Sequence, residues 1–208
     1  MFPPLFLVHT TPVPSYFMII CLRLITTASF LVQLISTIPL RARVEGIKYF
    51  IITLIASQHD ELRTLRRRLD IRFTAAIKKV VEYVTNSKGF EQCLKNVTVV
   101  SAGDGKCRVE FPVEDGHLNG GGTLHGGFTA TLVDCISTYA LMTTGTGAPG
   151  VSVNINVSYL NAASPGEVIV VDAKTCKAGK RLAFLEVELS KKDGGRLVAR
   201  GQHTKFIM

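Results

Sequence analysis

Between Asp115 and Glu167 a single formally charged residue occurs, Asp134, inside the run TLHGGFTATLVDCISTYALM at residues 123–142. An ionised carboxylate in an apolar setting loses its hydration unless a partner replaces it. Burial and neighbouring charges shift such groups toward pKa values useful in catalysis. The alternative is a core aspartate satisfied by nearby backbone or hydroxyl donors. Just upstream, His125-Gly126-Gly127 precedes the helix that the run predicts. Glycines at a helix start let a ligand approach the backbone, and the first turn offers unpaired N–H donors at the positive end of the dipole. Such donors suit the oxyanion that develops when a thioester or ester carbonyl is attacked. Alone, this triplet is explained as well by a tight turn carrying a surface histidine.

Spacing adds a constraint. Asp134 lies eight residues after Gly126, about 12 Å along a helix axis. An aspartate side chain does not close that gap. If both groups serve one reaction centre, they come from different subunits, with two such helices antiparallel across a two-fold axis and two composite sites per dimer.

The elements that position these residues follow from hydrophobic periodicity. Strand-like runs Val97–Ser101 and Cys107–Val113 flank Gly103-Asp104-Gly105, a hairpin turn. After the glycine-rich 120–127 stretch comes a helix from about Gly127 to Met142, closed by Gly145-Thr146-Gly147. Four further β-rich runs follow, Gly150–Leu160, Val168–Cys176, Leu182–Lys191 and Leu197–Ile207, with Asp193-Gly194 turning between the last two. The helix is apolar almost all round, so it is expected to be enclosed. An antiparallel sheet curved around it gives an α+β fold with the helix as its core. Ahead of this, Asp60–Thr85 reads as a charged amphipathic helix with Leu62, Leu65, Leu69, Phe73, Ile77, Val80, Val81 and Val84 at helical spacing. Its Arg66-Arg67-Arg68 cluster suits acidic lipid or a polyphosphate, but is read first as a solvated face.

The first 58 residues differ in kind. Phe17–Leu40 is almost wholly apolar, broken by Arg23 and Gln33, and long enough for a bilayer at ~20 residues. Basic residues Arg41, Arg43 and Lys48 follow it and none precede it within residues 1–16. A span here would leave the C-terminal domain on the cytosolic or matrix side. A membrane anchor, a mitochondrial targeting segment and a non-native start are the competing readings. The organisation expected is an extension at 1–58, an amphipathic helix at 59–88 and the domain at 89–208.

The net charge of +8 does not mark a nucleic-acid binder. Residues 89–208 carry twelve basic and eleven acidic residues, so the excess sits on the extension and the amphipathic helix. Five cysteines lack CxxC or Cys/His ligand spacing, which points to reduced thiols in a cytoplasmic or mitochondrial protein without a disulfide frame or a zinc site. Sequons at Asn96 and Asn156 fall in strand-like runs and are read as accidental.

Residues 119–134 (NGGGTLHGGFTATLVD), with Gly147-Ala148-Pro149-Gly150-Val151-Ser152-Val153, Lys177–Lys180 and Gly201–Lys205, resemble the hotdog-fold acyl-CoA thioesterases from about residue 72 to the C-terminus. The resemblance implies a hotdog fold, a homodimer pairing into a tetramer, and hydrolysis of medium- to long-chain fatty acyl-CoA to free acid and CoA. It implies no cofactor or metal, since CoA belongs to the substrate. By the same resemblance the Gly126 backbone N–H polarises the thioester carbonyl, with His125 positioned beside it. Asp134 of the neighbouring subunit acts as general base or nucleophile, Asn119 holds the attacking water, and Ser152 supports the aspartate. Gly127, Lys177, Lys180 and Arg181 are candidate substrate contacts, the three cations for CoA phosphates. Gly120-Gly121-Gly122 is richer in glycine than the family pattern, and the added backbone freedom is expected to loosen the placing of Asn119. The rival readings are a non-catalytic acyl-CoA-binding hotdog protein and a hydroxyacyl-thioester dehydratase. The dehydratase would need a histidine paired with a carboxylate at the acyl chain.

Overall fold

A computed structural model describes the backbone of residues 40–207 and the side chains of residues 57–207. The described residues fall into two units that divide between Glu61 and Leu62. Apart from Leu40, the apolar run 17–40, with the anchor and targeting readings attached to it, lies outside the described residues. Among those described, no helix is long and apolar enough to cross a membrane.

Helix α1 (Leu40–Thr85) extends well upstream of Asp60. No proline occurs between Leu40 and Thr85, so the change of composition near residue 58 alters what the helix presents without interrupting its backbone ladder. Its last turns dock on the sheet. Ile77 and Val81 are buried in the core, and the Thr74 hydroxyl donates to Ala102 O at 3.1 Å while accepting from Ala102 N at 2.9 Å.

Six strands form one antiparallel sheet in the order β1-β2-β4-β5-β6-β3. They are β1 (Thr98–Gly103), β2 (Lys106–Pro112), β3 (Val151–Tyr159), β4 (Val168–Ala178), β5 (Leu182–Lys191) and β6 (Leu197–Phe206). Burial alternates along β2, β4, β5 and β6, as the period-two pattern requires when one face is covered. The expected hairpin at Asp104-Gly105 is present, with both residues at positive φ (50° and 71°), the geometry of the tight hairpin turn.

Helix α2 (Gly126–Leu141) touches all six strands. Its Leu132, Val133, Ile136 and Ala140 are fully buried against Val109, Phe111, Ile169, Val171, Val187 and Leu189 of the sheet. Close approach is set by Gly201 in the middle of β6, where a Cβ would lie 2.5 Å from Val133 Cγ1. The enclosure expected of this helix is met only on the sheet side. Ala130, Thr131, Asp134, Cys135 and Thr138 are only partly buried, and Gly127 is exposed. Small and weakly polar residues made that open face look apolar in the sequence.

Among the described residues β3 is an edge strand bonded only to β6. It is exposed along most of its length, including Val151 and Val153. A free apolar strand edge is an unfilled template for another chain.

Candidate functional site

The first turn of α2 is organised by His125. This residue is the N-cap, in extended conformation, and its Nδ1 accepts the Gly127 N–H at 2.8 Å. Nδ1 is therefore the unprotonated ring nitrogen, and Nε2–H faces away from the cap. The Gly127 amide, a candidate substrate contact, is occupied by this bond. The Gly126 amide is not: a helix start leaves it without an intrahelical partner, and among the described residues no turn or loop bond uses it. Its carbonyl accepts the Tyr159 hydroxyl at 3.1 Å. The Tyr159 ring also covers Gly126 so closely that a Cβ there would sit 3.3 Å from Cε1. Beneath this turn, His117 stacks on Phe128 with ring centroids 4.4 Å apart.

Gly126 opens onto a cavity of about 400 Å³, lined also by Asn119, Tyr159, Leu160, Asn161 and Val198. Asn119 stands at the head of the glycine-rich stretch and binds it into a turn. Its Oδ1 accepts from Gly121 N at 2.9 Å and Thr123 N at 3.2 Å, and its Nδ2 donates to Thr123 Oγ1 at 3.0 Å. The backbone closes the same loop, with Asn119 N donating to Thr123 O at 2.8 Å. The three glycines do not leave Asn119 loose, because the loop is hydrogen-bonded to that side chain.

Asp134 lies further along the same helix, with its side chain 43% exposed. Three groups converge on one of its oxygens. Ser152 Oγ donates to Oδ1 at 3.2 Å, His203 Nε2 lies 3.7 Å from it and Lys205 Nζ 3.9 Å. The bulge in β3 between Ser152 and Asn154 belongs to the strand that carries Ser152. His203 and Lys205 alternate with Gly201 on the face of β6 that meets α2, and both side chains are almost fully buried. His203 Nδ1 lies 2.7 Å from Ser137 Oγ, while Nε2 has no hydrogen-bond partner. Ser137 Oγ donates to Asp134 O at 3.1 Å, and His203 Nε2 faces the Asp134 carboxylate across the 3.7 Å gap. Lys205 Nζ donates to Thr138 Oγ1 at 2.6 Å, and Thr138 in turn donates to Asp134 O at 2.7 Å.

Burial, with Lys205 adding to it and Asp134 opposing it, pushes the His203 pKa down to about 4. The imidazole is therefore neutral at neutral pH. Burial lowers the Lys205 ammonium as well, and the Asp134 carboxylate is the first of the groups that oppose it. Cys135, next to Asp134, is pushed up to about 12 by burial and stays a thiol.

The chain therefore joins Gly126 with Asn119 and, separately, Asp134 with Ser152. The two pairs are separated by eight residues of helix, about 12 Å. Lys177, Lys180 and Arg181 are exposed around the β4–β5 turn. Register aligns Leu182 with Phe206 and Phe206 with Val151, so this turn lies at the Ser152 end of the sheet, away from Tyr159. Sequence reasoning missed His203, Lys205 and Tyr159. Among the described residues no cluster of histidine, cysteine and carboxylate is arranged to hold a metal.

Known proteins resemble the chain in sequence and in fold. Residues 121–198 match the thioesterase superfamily model. The chain is 49% identical over 134 residues to human acyl-coenzyme A thioesterase 13, an alignment covering 64% of this chain and 96% of the relative. The crystal structure of zebra fish thioesterase superfamily member 2 superposes with a TM-score of 0.63 at 49% identity, over 64% of this chain and 96% of that one. A hypothetical thioesterase protein from Streptococcus pneumoniae, solved with coenzyme A, superposes with a TM-score of 0.53 at 26% identity, over 56% of this chain and 89% of that one. Identity at this level across nearly the whole length of a named thioesterase, on the same curved sheet and central helix, shows that the chain belongs to the thioesterase superfamily and is a hotdog-fold thioester hydrolase.

Proposed function

We propose that the protein hydrolyses fatty acyl-CoA thioesters to the free acid and CoA, at sites built from two subunits. The observation that carries this reading is the division of labour along α2. Gly126, whose amide has no partner among the described residues, lines a cavity at the helix start, and a partly exposed carboxylate held on one oxygen lies eight residues on. Thioester hydrolysis asks for an oriented water, a base and an electrophilic donor, and needs no metal or cofactor. Human acyl-coenzyme A thioesterase 13 and the coenzyme A complex of the Streptococcus pneumoniae protein support CoA as the leaving group.

In this mechanism Gly126 N–H donates to the thioester oxygen and strengthens as that oxygen gains charge. The capping bond of His125 fixes the turn that aims the amide. Asp134 of the partner subunit takes the proton from water, or attacks as a nucleophile. Ser152, His203 and Lys205 gather on Oδ1, leaving Oδ2 for the reacting water. Asn119 contributes by holding the loop that walls the cavity and by orienting that water. Leu160 and Val198 on the cavity wall suit a medium- or long-chain acyl tail. Lys177, Lys180 and Arg181 provide positive charge for CoA phosphates.

The free β3 edge, with Val151 and Val153 exposed, supports dimerisation edge to edge, which sets two α2 helices antiparallel. Pairing of dimers into a tetramer completes the assembly. The scattered thiols suit the cytoplasm or the mitochondrial matrix. The test is hydrolysis of acyl-CoAs of graded chain length by the full chain and by Asp134→Asn. Turnover that rises with chain length and disappears in the variant supports the reading. A folded oligomer without turnover on any acyl-CoA contradicts it.

A further inference from the structure

We infer that the outward face of α1 between Leu62 and Tyr83 binds anionic lipid surfaces. At 100° per residue, Leu62, Leu65, Leu69, Ala76 and Tyr83 fall within one stripe of roughly 60°. The stripe is open: Leu62 is 65%, Leu65 54%, Leu69 51% and Tyr83 60% exposed. Beside it Arg68, Arg72 and Lys79 form a second row, also exposed. That row lies opposite Thr74, Ile77 and Val81, the side of the helix that docks on the domain. Leu62 to Tyr83 contains seven basic residues and two acidic residues, Asp70 and Glu82, whereas residues 89–208 carry twelve and eleven. The positive excess of this unit is thus concentrated on the helix that also bears three of its exposed leucines, Leu62, Leu65 and Leu69.

An apolar stripe bordered by a basic row is the pattern that seats a helix at the boundary of headgroups and acyl chains. Charge decides between occupants. A second copy of the helix packed on the stripe would bring two basic rows together, and like charges at helix spacing repel. An anionic bilayer covers the leucines and matches the arginines in one step. The surface is separate from the α2 site, so it stands whether or not acyl-CoA is the substrate. If both readings hold, it brings the enzyme to membranes in which acyl chains reside.

The test is vesicle flotation of the full chain, on phosphatidylcholine alone and on vesicles in which phosphatidylserine makes up about a quarter of the lipid. The result expected is strong preference for the anionic vesicles. Arg68→Ala, Arg72→Ala and Lys79→Ala together should weaken binding on the order of a hundredfold, from about a fivefold contribution per charge near such a surface. Leu62→Ser, Leu65→Ser and Leu69→Ser together should also weaken it, with thioester turnover in solution unchanged in both variants. Equal binding to neutral and anionic vesicles, unaffected by either set, would overturn the inference and assign lipid binding to another segment. Loss of self-association in the leucine variant, without loss of lipid binding, would assign the stripe to a second copy.

Discussion

Around Gly126 the groups on offer belong to the backbone, and their surroundings are open: His125 and glycines 120–122 are exposed. Eight residues on, the group on offer is a side chain, Asp134, backed by a histidine and a lysine with almost no exposure. The donor site depends on a turn, and so on which residues lack a Cβ. The carboxylate site depends on charge and hydrogen bonding in a buried setting. One helix holds both because its first turn leaves amides unpaired, while its middle rests on β6, where His203 and Lys205 supply polar contacts in an otherwise apolar seam. The two sites therefore differ in which substitutions they tolerate.

Asp134→Asn removes the proposed base while keeping the shape. Turnover should fall on the order of a thousandfold, with thermal stability nearly unchanged, as steady-state kinetics and a melting curve would show. At the donor site the equivalent change is Gly126→Ala. Its Cβ presses on the Tyr159 ring and displaces the amide, so kcat should fall on the order of a hundredfold in a folded protein. Ser152→Ala removes one of three groups at Oδ1, leaving His203 and Lys205 in place, and should cost roughly tenfold in kcat from loss of a hydrogen bond to a charged group. A loss as large as that of Asp134→Asn would give Ser152 a larger share in the chemistry.

The smallest effect concerns stability. His203 has a folded pKa of about 4 against an ordinary 6.5, so the unfolded chain binds the extra proton between those values. Stability contributed by the neutral ring is present above pH 6.5 and is lost as pH falls toward 4. Its full size is about 3 kcal/mol at 1.36 kcal/mol per pKa unit. Denaturant midpoints across this range should decline less steeply in His203→Gln than in the parent. Parallel declines would mean that other groups set the acid response.

The sequence disclosed the fold to the extent that periodicity did. β2, β4, β5 and β6 alternate cleanly, and Asp104-Gly105 supplies a turn that few other dipeptides make. Asp134 was legible because no other formal charge occurs near it, and Gly126 because it precedes a strongly apolar run. Asn119 and Ser152 carried no signal of their own beyond the family pattern. His203 and Lys205 were missed although a signal existed. They lie in phase with Ala199 and Gly201 in GQHTKF, on the face of β6 turned inward, which is an expensive place for a cation unless it faces a carboxylate. The partner is 71 residues from Lys205 in the chain and only 3.9 Å away in space, a proximity that local pattern does not contain. The helix upstream of Asp60 carried no such signal, because the change in composition near residue 58 alters side chains and leaves the backbone ladder intact.

The central claim is that Gly126 of one subunit works with Asp134 of the partner subunit. Subunit mixing tests it most directly: Gly126→Pro and Asp134→Asn, each inactive alone, are co-expressed or refolded together. In a mixed dimer one composite site carries both lesions and the other carries neither. With random pairing, about a quarter of the parental turnover should return, from half of the dimers each having one intact site. Mixed dimers that form yet remain inactive would place Gly126 and Asp134 of the same chain in one site and contradict the account.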